Sequence, residues 1–554
     1  MPQSDYELSL VKYIKRRKEA LSNERSSFIS HWMELSRYID PRRGRFFSDD
    51  DNRGYRVDQD IVNNTAYRAL RSASAGMLAG VMSPSRPWFV LELDEPRLSE
   101  IVVVGTWLQT VTTLMNAVFS QSNLYSQSQT MLKELLLFGT GCLLHMDDED
   151  DVSRFYAQPA GTYYLAQNDK LKVDTYMREF NMTAGALVEM FGKDRVPFSV
   201  QSQYDNGQYD SKYRVVHIIE PRREKSLLNP FMNNMPFRSV YMMLEQGDRS
   251  SILRERGFDT FPVYAPRWEL TGDDIYGTDC PGMITLGDTK ALQIQEAKKQ
   301  HAIDANSAPP LKASAQLRNT DIVGQPNTIV EYTGGTDQRG VEPVFQVDPR
   351  VQELLLDINA TEQRIEQGFF VDLFLAFTNI NRDGKQYKSE PELIQRNEER
   401  LLQLGPVLQQ LHGEFLDPLI SRTFNQLLER NLIPEPPQEI QGRALNIRYI
   451  SSLAQAQRAV ATGAIERLSA YVGGLAQIDP SAADKLDTSQ AIDEYNQAIL
   501  GPPRILRDDA EVEEIRLQRQ EAQEQAQQLA MAQQAADTAA TGGKAVGELA
   551  GARA

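Results

Sequence analysis

The chain has 554 residues, of which 41% are hydrophobic and 24% charged, and its formal net charge is −17. This composition is typical of a globular protein, and the length favours two to four subdomains over one core. The negative net charge argues against a protein that binds nucleic acid over a broad surface. It allows a local basic patch, or a passage through which DNA moves without binding tightly. Two cysteines, Cys142 and Cys280, are too few for a disulfide scaffold and are expected to be buried thiols.

The sequence predicts no segment that would target or span a membrane. The first ten residues carry Asp5 and Glu7 and lack the apolar region of a signal peptide. The densest apolar run, 135–144, is too short to cross a bilayer and contains glycines. We therefore expect a soluble protein that is made in the cytoplasm and does not bind membranes directly.

The first 270 residues are predicted to form an α+β body. Residues 5–40 predict two amphipathic helices, and a helix over 65–82 is rich in Ala, Ser and Gly, which permits close packing. After residue 138, β-branched and aromatic residues recur in short runs that predict strands. Further helices are predicted over 99–121, 126–138 and 183–191, and strands over 141–145, 155–157, 172–180, 213–220, 238–244 and 261–267.

The next part predicts a stalk with a tip. Asp288–Ser307 is a predicted helix with little apolar stripe, so it should pack against copies of itself or against the helix that starts at Asp348. Between these helices, residues 311–347 carry β and turn signals. The chain is therefore expected to run out along one helix, form a small β unit and return along a second. The polar residues of the first helix include Gln293, Gln295, Lys298, Lys299 and Gln300.

Asp348–Arg430 predicts two long helices joined by a polar hinge. Asp348 caps the first helix, and its helical periodicity breaks at Gly368 and at several positions up to Gly384. Ser389 starts the second helix, and Gly405-Pro406 within that helix predicts a kink because proline lacks the N–H. A strand is predicted over 444–450, and helices follow to about residue 500.

The break between the two helices contains three cations, Arg382, Lys385 and Lys388. One interpretation is a solvated surface hinge. The other is a loop beside a polyanion, where a few cations in an acidic body act locally. The same choice stays open for Lys298 and Lys299, although a solvated helix face is the commoner situation for lysines.

We find no sequence motif for catalysis, nucleotide binding or metal binding. Gly139-Thr140-Gly141 and Gly334-Gly335 lack the lysine and the spacing of a nucleotide-binding loop and predict turns. The five histidines are scattered, and two lone cysteines cannot complete a zinc set. The acidic run 147–151 leaves a divalent-cation site open, but a solvated loop is the simpler interpretation. We expect no enzymatic activity, no cofactor and no metal.

Several stretches resemble the head-to-tail connecting (portal) proteins of short-tailed double-stranded DNA phages. Each motif is short, but their order over about residues 5–460 is specific. The sequence departs from the family at Ser389 and Pro391, where a Thr-Ala-Thr run is common, and no motif follows residue 500. The matching segments are Arg86-Pro87-Trp88-Phe89, 178–183, Pro266-Arg267-Trp268 with Tyr276-Gly277, 392–396, 404–407, 414–422, 432–434 and 449–457.

The resemblance implies an α+β, mainly helical portal fold that assembles as a homododecameric ring. It implies a tunnel loop, 376–390, that contacts DNA, and stem helices whose Lys298 and Lys299 face the channel. The loop residues implied to contact DNA are Asn379, Asn381, Arg382, Lys385 and Lys388. The other implied segments are the wing 1–285, stem helices 286–310 and 348–375, clip 311–347, kinked wing helix and strand 391–451, crown 452–503, C-terminal barrel helix 504–540 and disordered tail 541–554.

The resemblance further implies a virion protein at one capsid vertex, through which the genome is packaged, retained and ejected. Its implied partners are the terminase large subunit, tail adaptor or nozzle proteins, the major capsid and scaffolding proteins, internal core or ejection proteins, and double-stranded DNA. Composition leaves two other classes open. One is a helical scaffold or tail-adaptor protein that lines no DNA path. The other is a DNA-processing enzyme, which would need ATPase or metal-dependent nuclease activity.

Overall fold

The computed structural model describes residues 3–43, 45–46, 60–93, 102–223, 235–244, 251–307, 311–312, 342–343, 351–376, 404–441 and 445–451, and, beyond 467, residues 468–475, 479, 485–488, 490–492, 495, 512, 514–519, 521–522 and 525. The chain divides into two compact units, Met1–Ala454 and Gln455–Ala554. In the second unit, 468–475 and 514–519 are helical. Across these ranges, no helix has both the length and the apolar character needed to cross a membrane.

The N-terminal helix α1, Gln3–Tyr38, is one helix of 36 residues, so the prediction of two helices over 5–40 is wrong. Neither Pro nor Gly occurs within it, and polar residues alone do not interrupt backbone hydrogen bonds. The helix ends before Pro41. Its apolar residues Leu10, Val11, Ile14 and Leu21 are buried against a five-stranded sheet.

Three helices follow near their predicted positions: α2 (Thr65–Val81), α3 (Val102–Gln121) and α4 (Leu124–Phe138). Gly139 ends α4 with φ +76 and donates its N–H to the Leu135 carbonyl at 3.0 Å. This left-handed cap favours glycine because a Cβ would strain the backbone. Between α2 and α3, strand β1 (Phe89–Leu93) follows a turn.

The largest sheet has five antiparallel strands in the order β4-β5-β6-β7-β8. Strands β4 and β8 were not predicted; β8 is an edge strand whose Arg254, Glu255 and Arg256 hide its periodicity. Helix α1 covers one face of the sheet, and helices α5 and α6 cover the other. The bounds are β4 Tyr163–Gln167, β5 Val173–Thr183, α5 Ala184–Phe191, α6 Phe198–Asp205, β6 Lys212–Pro221, β7 Phe237–Leu244 and β8 Ser251–Phe258, with a 3₁₀ turn at Lys193–Arg195.

A smaller sheet has the order β3-β2-β9 and packs beside α4. It consists of β2 (Leu143–Asp148), β3 (Val152–Ala157) and β9 (Val263–Tyr264). The strand predicted over 261–267 is only two residues long. Pro262 and Pro266 flank it, and proline cannot donate to a strand ladder.

The helices on either side of the predicted tip are α7 (Pro281–Ser307) and α8 (Val351–Gly368), followed by the short α9 (Val371–Ala376). Helix α7 begins before the predicted start at Asp288. Phe370, with φ +55, separates α8 from α9. Between α7 and α8, strand β10 (Leu311–Lys312) pairs antiparallel with β11 (Glu342–Pro343). The rest of the segment 311–347, for which β and turn signals are predicted, lies outside the described residues.

The last part of the first unit begins with helix α10, residues 404–411. It continues through a π turn, His412–Leu416, into α11 (Asp417–Glu429). Gly405-Pro406 lies at the start of the described helix, so the predicted kink stays a prediction. After a 3₁₀ turn at Gln438–Ile440, strand β12 (Leu445–Tyr449) pairs antiparallel with β1, in agreement with the predicted strand.

Candidate functional site: the paired helices and their anchors

Helices α7 and α8 pack against each other as an antiparallel pair. Near the body, a Cβ on Gly368 would collide with the Thr285 side chain, so the backbones approach closely there. Further out, Arg364 Nε lies 3.2 Å from Asp288 Oδ1, and Gln295 Nε2 donates to Asp357 Oδ2 at 2.6 Å. The contact confirms one of the two predicted partners for α7, the helix that follows Asp348.

The polar character of α7 is partly accounted for within the same chain. Gln293 is buried, and its Oε1 accepts from the N–H groups of Val62 (2.7 Å) and Asn63 (2.8 Å). Its Nε2 donates to the Asn63 carbonyl at 2.9 Å. Asn63 Nδ2 donates to Glu296 (3.1 Å) and Glu362 (2.8 Å). The segment before α2 therefore joins α7 to α8.

The two lysines predicted to face a channel have different environments. Lys299 forms an ion pair with Glu296, one turn earlier on α7, and its side chain is only 20% exposed. Lys298 is exposed and has no ion-pair partner among the residues that the structure places. Of these two lysines, Lys298 is the one whose charge no ion pair compensates among the described residues. The predicted loop residues Asn379, Asn381, Arg382, Lys385 and Lys388 lie outside the described ranges.

The solvent side of the helix pair carries large apolar residues. Ile284, Ile294 and Leu356 are 61%, 57% and 70% exposed. On α7, Ile284 and Ile294 belong to a row at positions 284, 287, 291 and 294, which alternate by three and four residues. This spacing is typical of helices that pack side by side in coiled coils. Exposed apolar surfaces of this kind mark interaction sites.

Helix α9, which leads toward the predicted loop, is held by α2. A Cβ on Gly76 would collide with Phe374, so only glycine permits this approach. Ala69, Ala73 and Gly80 are also buried on α2. The small residues therefore have the predicted role of close packing, and their partner includes α9.

The chain downstream of the predicted loop is anchored by Arg267, whose side chain is 1% exposed. Its Nε donates to Glu414 Oε1 at 3.0 Å, and its backbone N–H donates to Glu414 Oε2 at 2.9 Å. It also donates to Gln167 Oε1 (2.9 Å) and to the Leu171 carbonyl (2.7 Å). Glu414 lies in the π turn, so the buried pair fixes that turn to the sheets. Both residues stand in family-like motifs, but spacing alone did not reveal their pairing.

A second polar network attaches α11 to the smaller sheet. Arg422 Nη2 lies 3.1 Å from Asp147 Oδ1, and Gln426 also donates to this carboxylate. Ser153 Oγ donates to Gln426 Oε1 at 2.9 Å and lies 2.9 Å from His145 Nε2. Burial lowers the pKa of His145 well below its ordinary value, so this ring is neutral in the fold. These side chains position α11 against the smaller sheet.

The acidic run 147–151 forms the turn between β2 and β3. Asp148 accepts from the N–H groups of Asp150 (2.9 Å) and Asp151 (3.1 Å). The N–H of Asp151, and then that of Asp150, lowers the pKa of Asp148. Among the residues that the structure describes, no group of three or more His, Cys, Asp or Glu could hold a metal ion.

Both cysteines are free and buried, as predicted. Burial raises the pKa of Cys280 to about 12, and its Sγ donates to the Leu137 carbonyl at 3.3 Å. A thiol in this state is a poor nucleophile because the thiolate is the reactive form.

Comparisons with known proteins point to one family. A family model described as "Bacteriophage head to tail connecting protein" matches residues 11–506. The "Portal protein" of Salmonella phage epsilon15 and the "Probable portal protein" of Bordetella phage BPP-1 are each 41% identical over 521 residues, which cover 94% of this chain and 93% of each relative.

The chain also resembles solved structures of gene transfer agent particles at low similarity. For the "Virion of native gene transfer agent (GTA) particle" the TM-score is 0.33 at 12% identity, covering 74% of this chain and 90% of that chain. For the "Neck of empty GTA particle computed with C6 symmetry" it is 0.35 at 14% identity, covering 79% and 93%. These scores are too low to carry a functional argument.

Proposed function

The chain belongs to the family of bacteriophage head-to-tail connecting proteins and acts as a portal protein of a double-stranded DNA phage, and from this premise we propose how its parts do so. Copies of the chain close into a ring at one capsid vertex, and the genome passes through its centre. The observation that carries the proposal is 41% identity to a portal protein over 94% of the chain. The stoichiometry implied by the family is a dodecamer.

The exposed apolar side chains of α7 and α8 support a ring in which the helix pairs of neighbouring copies pack against each other. Ile294 and Leu356 are too exposed to stabilise the isolated chain, but each gains from burial against a neighbouring copy, by about 1.5–3 kcal/mol per side chain when fully buried. In this proposal α7 and α8 are the stem, residues 311–347 are the clip, and the body up to 285 with 391–451 is the wing. The crown and the C-terminal barrel follow residue 452.

In the proposed channel, the protein makes only weak contacts with DNA. A ring of subunits that each carry a net charge of −17 repels DNA, so the duplex slides without lasting attachment. The tunnel loop, 376–390, adds Arg382, Lys385 and Lys388 at one height, and Lys298 adds a cation on the stem. Repeated around the ring, these cations contact phosphates strongly enough to retain packaged DNA and weakly enough to release it during translocation.

The proposed partners divide by surface. The clip binds the terminase large subunit during packaging and the tail adaptor or nozzle proteins afterwards, while the wing contacts the major capsid and scaffolding proteins. Internal core or ejection proteins are further candidates at the crown. The force comes from ATP hydrolysis by the motor, because the sequence has no nucleotide-binding loop.

Electron microscopy of the purified chain tests the ring. We expect rings with a central hole for the wild type and loss of rings for the double variant Ile294→Lys/Leu356→Lys, because each lysine would bury a charge at the contact. Phe198→Lys is the matched control, since Phe198 is 82% exposed on α6 in the body. Filaments or single particles of the wild type would favour the non-channel scaffold or tail adaptor instead.

A genetic test addresses the tunnel loop. We expect Arg382→Ala/Lys385→Ala/Lys388→Ala to leave ring assembly intact and to reduce genome packaging or retention. Lys170→Ala, at an exposed turn of the body, is the matched control. Full, stable heads from the triple variant would contradict the loop assignment.

A further inference from the structure

Three arginines share one face of the five-stranded sheet. The strand register aligns four residues in one row across β5, β6, β7 and β8, namely Arg178, His217, Tyr241 and Arg254. Arg256 lies two residues further along β8 and therefore on the same face. Helix α1 covers the opposite face. Neighbouring strands are about 4.8 Å apart, so the row spans about 14 Å. We call these five residues the arginine row.

The side chains of the arginine row contact one another or a neighbouring ring. His217 stacks on Tyr241, with ring centroids 3.8 Å apart and an interplanar angle of 8°. The guanidinium of Arg254 lies 5.0 Å from the Tyr241 ring, and that of Arg178 lies 3.9 Å from the Phe180 ring. Burial lowers the pKa of His217 well below its ordinary value, and both guanidiniums are near enough to lower it further. These contacts make the row one cluster and restrain its cations against aromatic rings.

No carboxylate neutralises the arginine row within the described part of the chain. Arg178 Nη1 donates to the neutral amide of Gln158, whose Oε1 is 2.9 Å away. Arg178, Arg254 and Arg256 form no ion pair with any residue that the structure places. Burial lowers the pKa of Arg254; Tyr241 acts in the opposite direction, and the charge of Arg256 lowers it further. The cations of the row therefore repel one another without an anion between them.

The arginines on the α1 side of the same sheet have a different environment. There each guanidinium has a carboxylate partner: Arg214 pairs with Glu179 at 3.2 Å, Arg222 with Glu255 at 3.1 Å, and Arg238 with Glu220. Partly buried charges are ordinarily paired, because desolvating an isolated ion is costly. The arginine row therefore lacks the anion that the other face of the sheet supplies from within the chain.

The arginine row is accessible but recessed. Arg256 is exposed, and Arg178 and Arg254 are partly exposed. Helix α5 covers part of the row, where Phe191 packs on Tyr241 with ring centroids 5.3 Å apart. A slender acidic side chain can reach guanidiniums in such a position more easily than a broad, rigid surface can.

We propose that the arginine row binds the carboxylates of an acidic segment from a partner protein. This inference goes beyond the ring and the channel and does not depend on them. A guanidinium offers two parallel N–H groups, which match the two oxygens of an Asp or Glu side chain. Side chains on one side of an extended segment recur about every 7 Å, so acidic residues two or four positions apart fit the span of the row.

Nucleic acid fits the same surface less well. Phosphate contacts need cations that a rigid backbone can reach, whereas two of the three guanidiniums are partly buried. Single strands bind through bases that stack on free aromatic faces. His217 and Tyr241 are buried and stacked on each other, so neither offers such a face.

Binding of a fluorescein-labelled octaglutamate peptide to the purified full chain tests the proposal, by fluorescence anisotropy at low ionic strength. The binding variant is Arg178→Gln/Arg254→Gln. The matched control, Lys12→Gln/Arg16→Gln, changes the net charge equally by removing two exposed cations from α1. A hydrogen bond to a charged group contributes about tenfold to affinity, so we expect about 100-fold weaker binding for the binding variant and wild-type affinity for the control. Arg256→Gln, at an exposed side chain, should weaken binding about tenfold and replaces the double variant if circular dichroism shows that variant to be unfolded.

Each outcome decides the proposal. Weaker binding in the folded arginine variant, with unchanged binding in the control, supports it. A wild type that does not bind the peptide overturns it, as does an arginine variant that binds like the wild type or a control that loses as much. A short DNA duplex that binds more tightly than the peptide, and depends on the same arginines, overturns it in favour of a phosphate ligand. Loss of rings in the folded arginine variant, seen by electron microscopy, overturns it in favour of a contact between copies. The peptide assay needs no ring, so a wild type without rings refutes the proposed function but not this inference.

Discussion

The buried ion pair between Arg267 and Glu414 gives the sharpest stability prediction. Replacing Arg267 by Met keeps most of the side-chain volume but leaves the Glu414 carboxylate without its cation. Gln167 and the Leu171 carbonyl also lose their donors. Removing one partner of a buried, hydrogen-bonded charge pair costs about 3–5 kcal/mol, because the remaining charge is desolvated without compensation.

The reference is a surface ion pair of similar length. Lys193 Nζ lies 2.6 Å from Asp205 Oδ1, but the side chains are 49% and 54% exposed. Water solvates both charges when the pair is broken, so Lys193→Met should leave the free energy of unfolding close to that of the wild type. Both variants remove the cation of an ion pair, but Arg267 is buried and also donates to Gln167 and to the Leu171 carbonyl, so the buried variant should cost far more.

Urea unfolding, followed by tryptophan fluorescence at one protein concentration, measures both effects. The buried Trp268 adjoins Arg267 and reports on this region. The double variant Arg267→Met/Glu414→Leu should recover part of the loss, because it removes both charges. The reasoning is refuted if Arg267→Met lies within about 1 kcal/mol of wild type, well below the cost of leaving a buried charge unpaired.

Two further predictions concern other packed positions. Burial raises the pKa of Glu134 from 4.5 to about 7 despite the nearby Arg43. Between these pH values the folded protein therefore retains a proton on Glu134 that the unfolded chain releases. The free energy of unfolding should fall by up to about 3 kcal/mol as pH rises from 4.5 to 7. Urea titrations of Glu134→Gln should lack this decline, and an identical pH profile for the variant would contradict the assignment. Gly76→Val should cost about 1–3 kcal/mol through its clash with Phe374, whereas Ala75→Val, exposed on the same helix, should be near neutral in the same assay. Equal effects of the two valines would contradict the close contact.

Local pattern predicted most elements of the body but not their partners. The helices predicted over 65–82 and 183–191 depend on adjacent residues, and the structure agrees with both. The prediction of two helices over 5–40 is wrong because the segment has no Pro or Gly, and polar residues alone do not end a helix. Strand β8 could not be predicted because it is stabilised by pairing with β7, and its charged edge residues do not show this contact in the local sequence.

The site was predictable only where it depends on neighbouring residues. The sequence shows that α7 has little apolar stripe, which predicts packing either against copies of itself or against the helix after Asp348. That Gln293 binds the backbone at residues 62 and 63 could not be predicted, because these groups are far apart along the chain. Arg267 and Glu414 form the same kind of non-local contact. Composition indicates that a buried charge needs a partner, but only the fold shows which residue provides it.

These non-local contacts have a mechanical consequence for the region between Ala376 and residue 404. The chain enters that region from α9, which α2 holds through the contact of Gly76 with Phe374. It leaves through α10 and the π turn, which Arg267 fixes through Glu414. Both ends are therefore fastened to the same body unit by buried contacts. If the intervening residues contact DNA, as proposed, the load passes into the body at two fixed points. A variant that weakens either anchor, Gly76→Val or Arg267→Met, should then impair genome retention although every loop cation is still present.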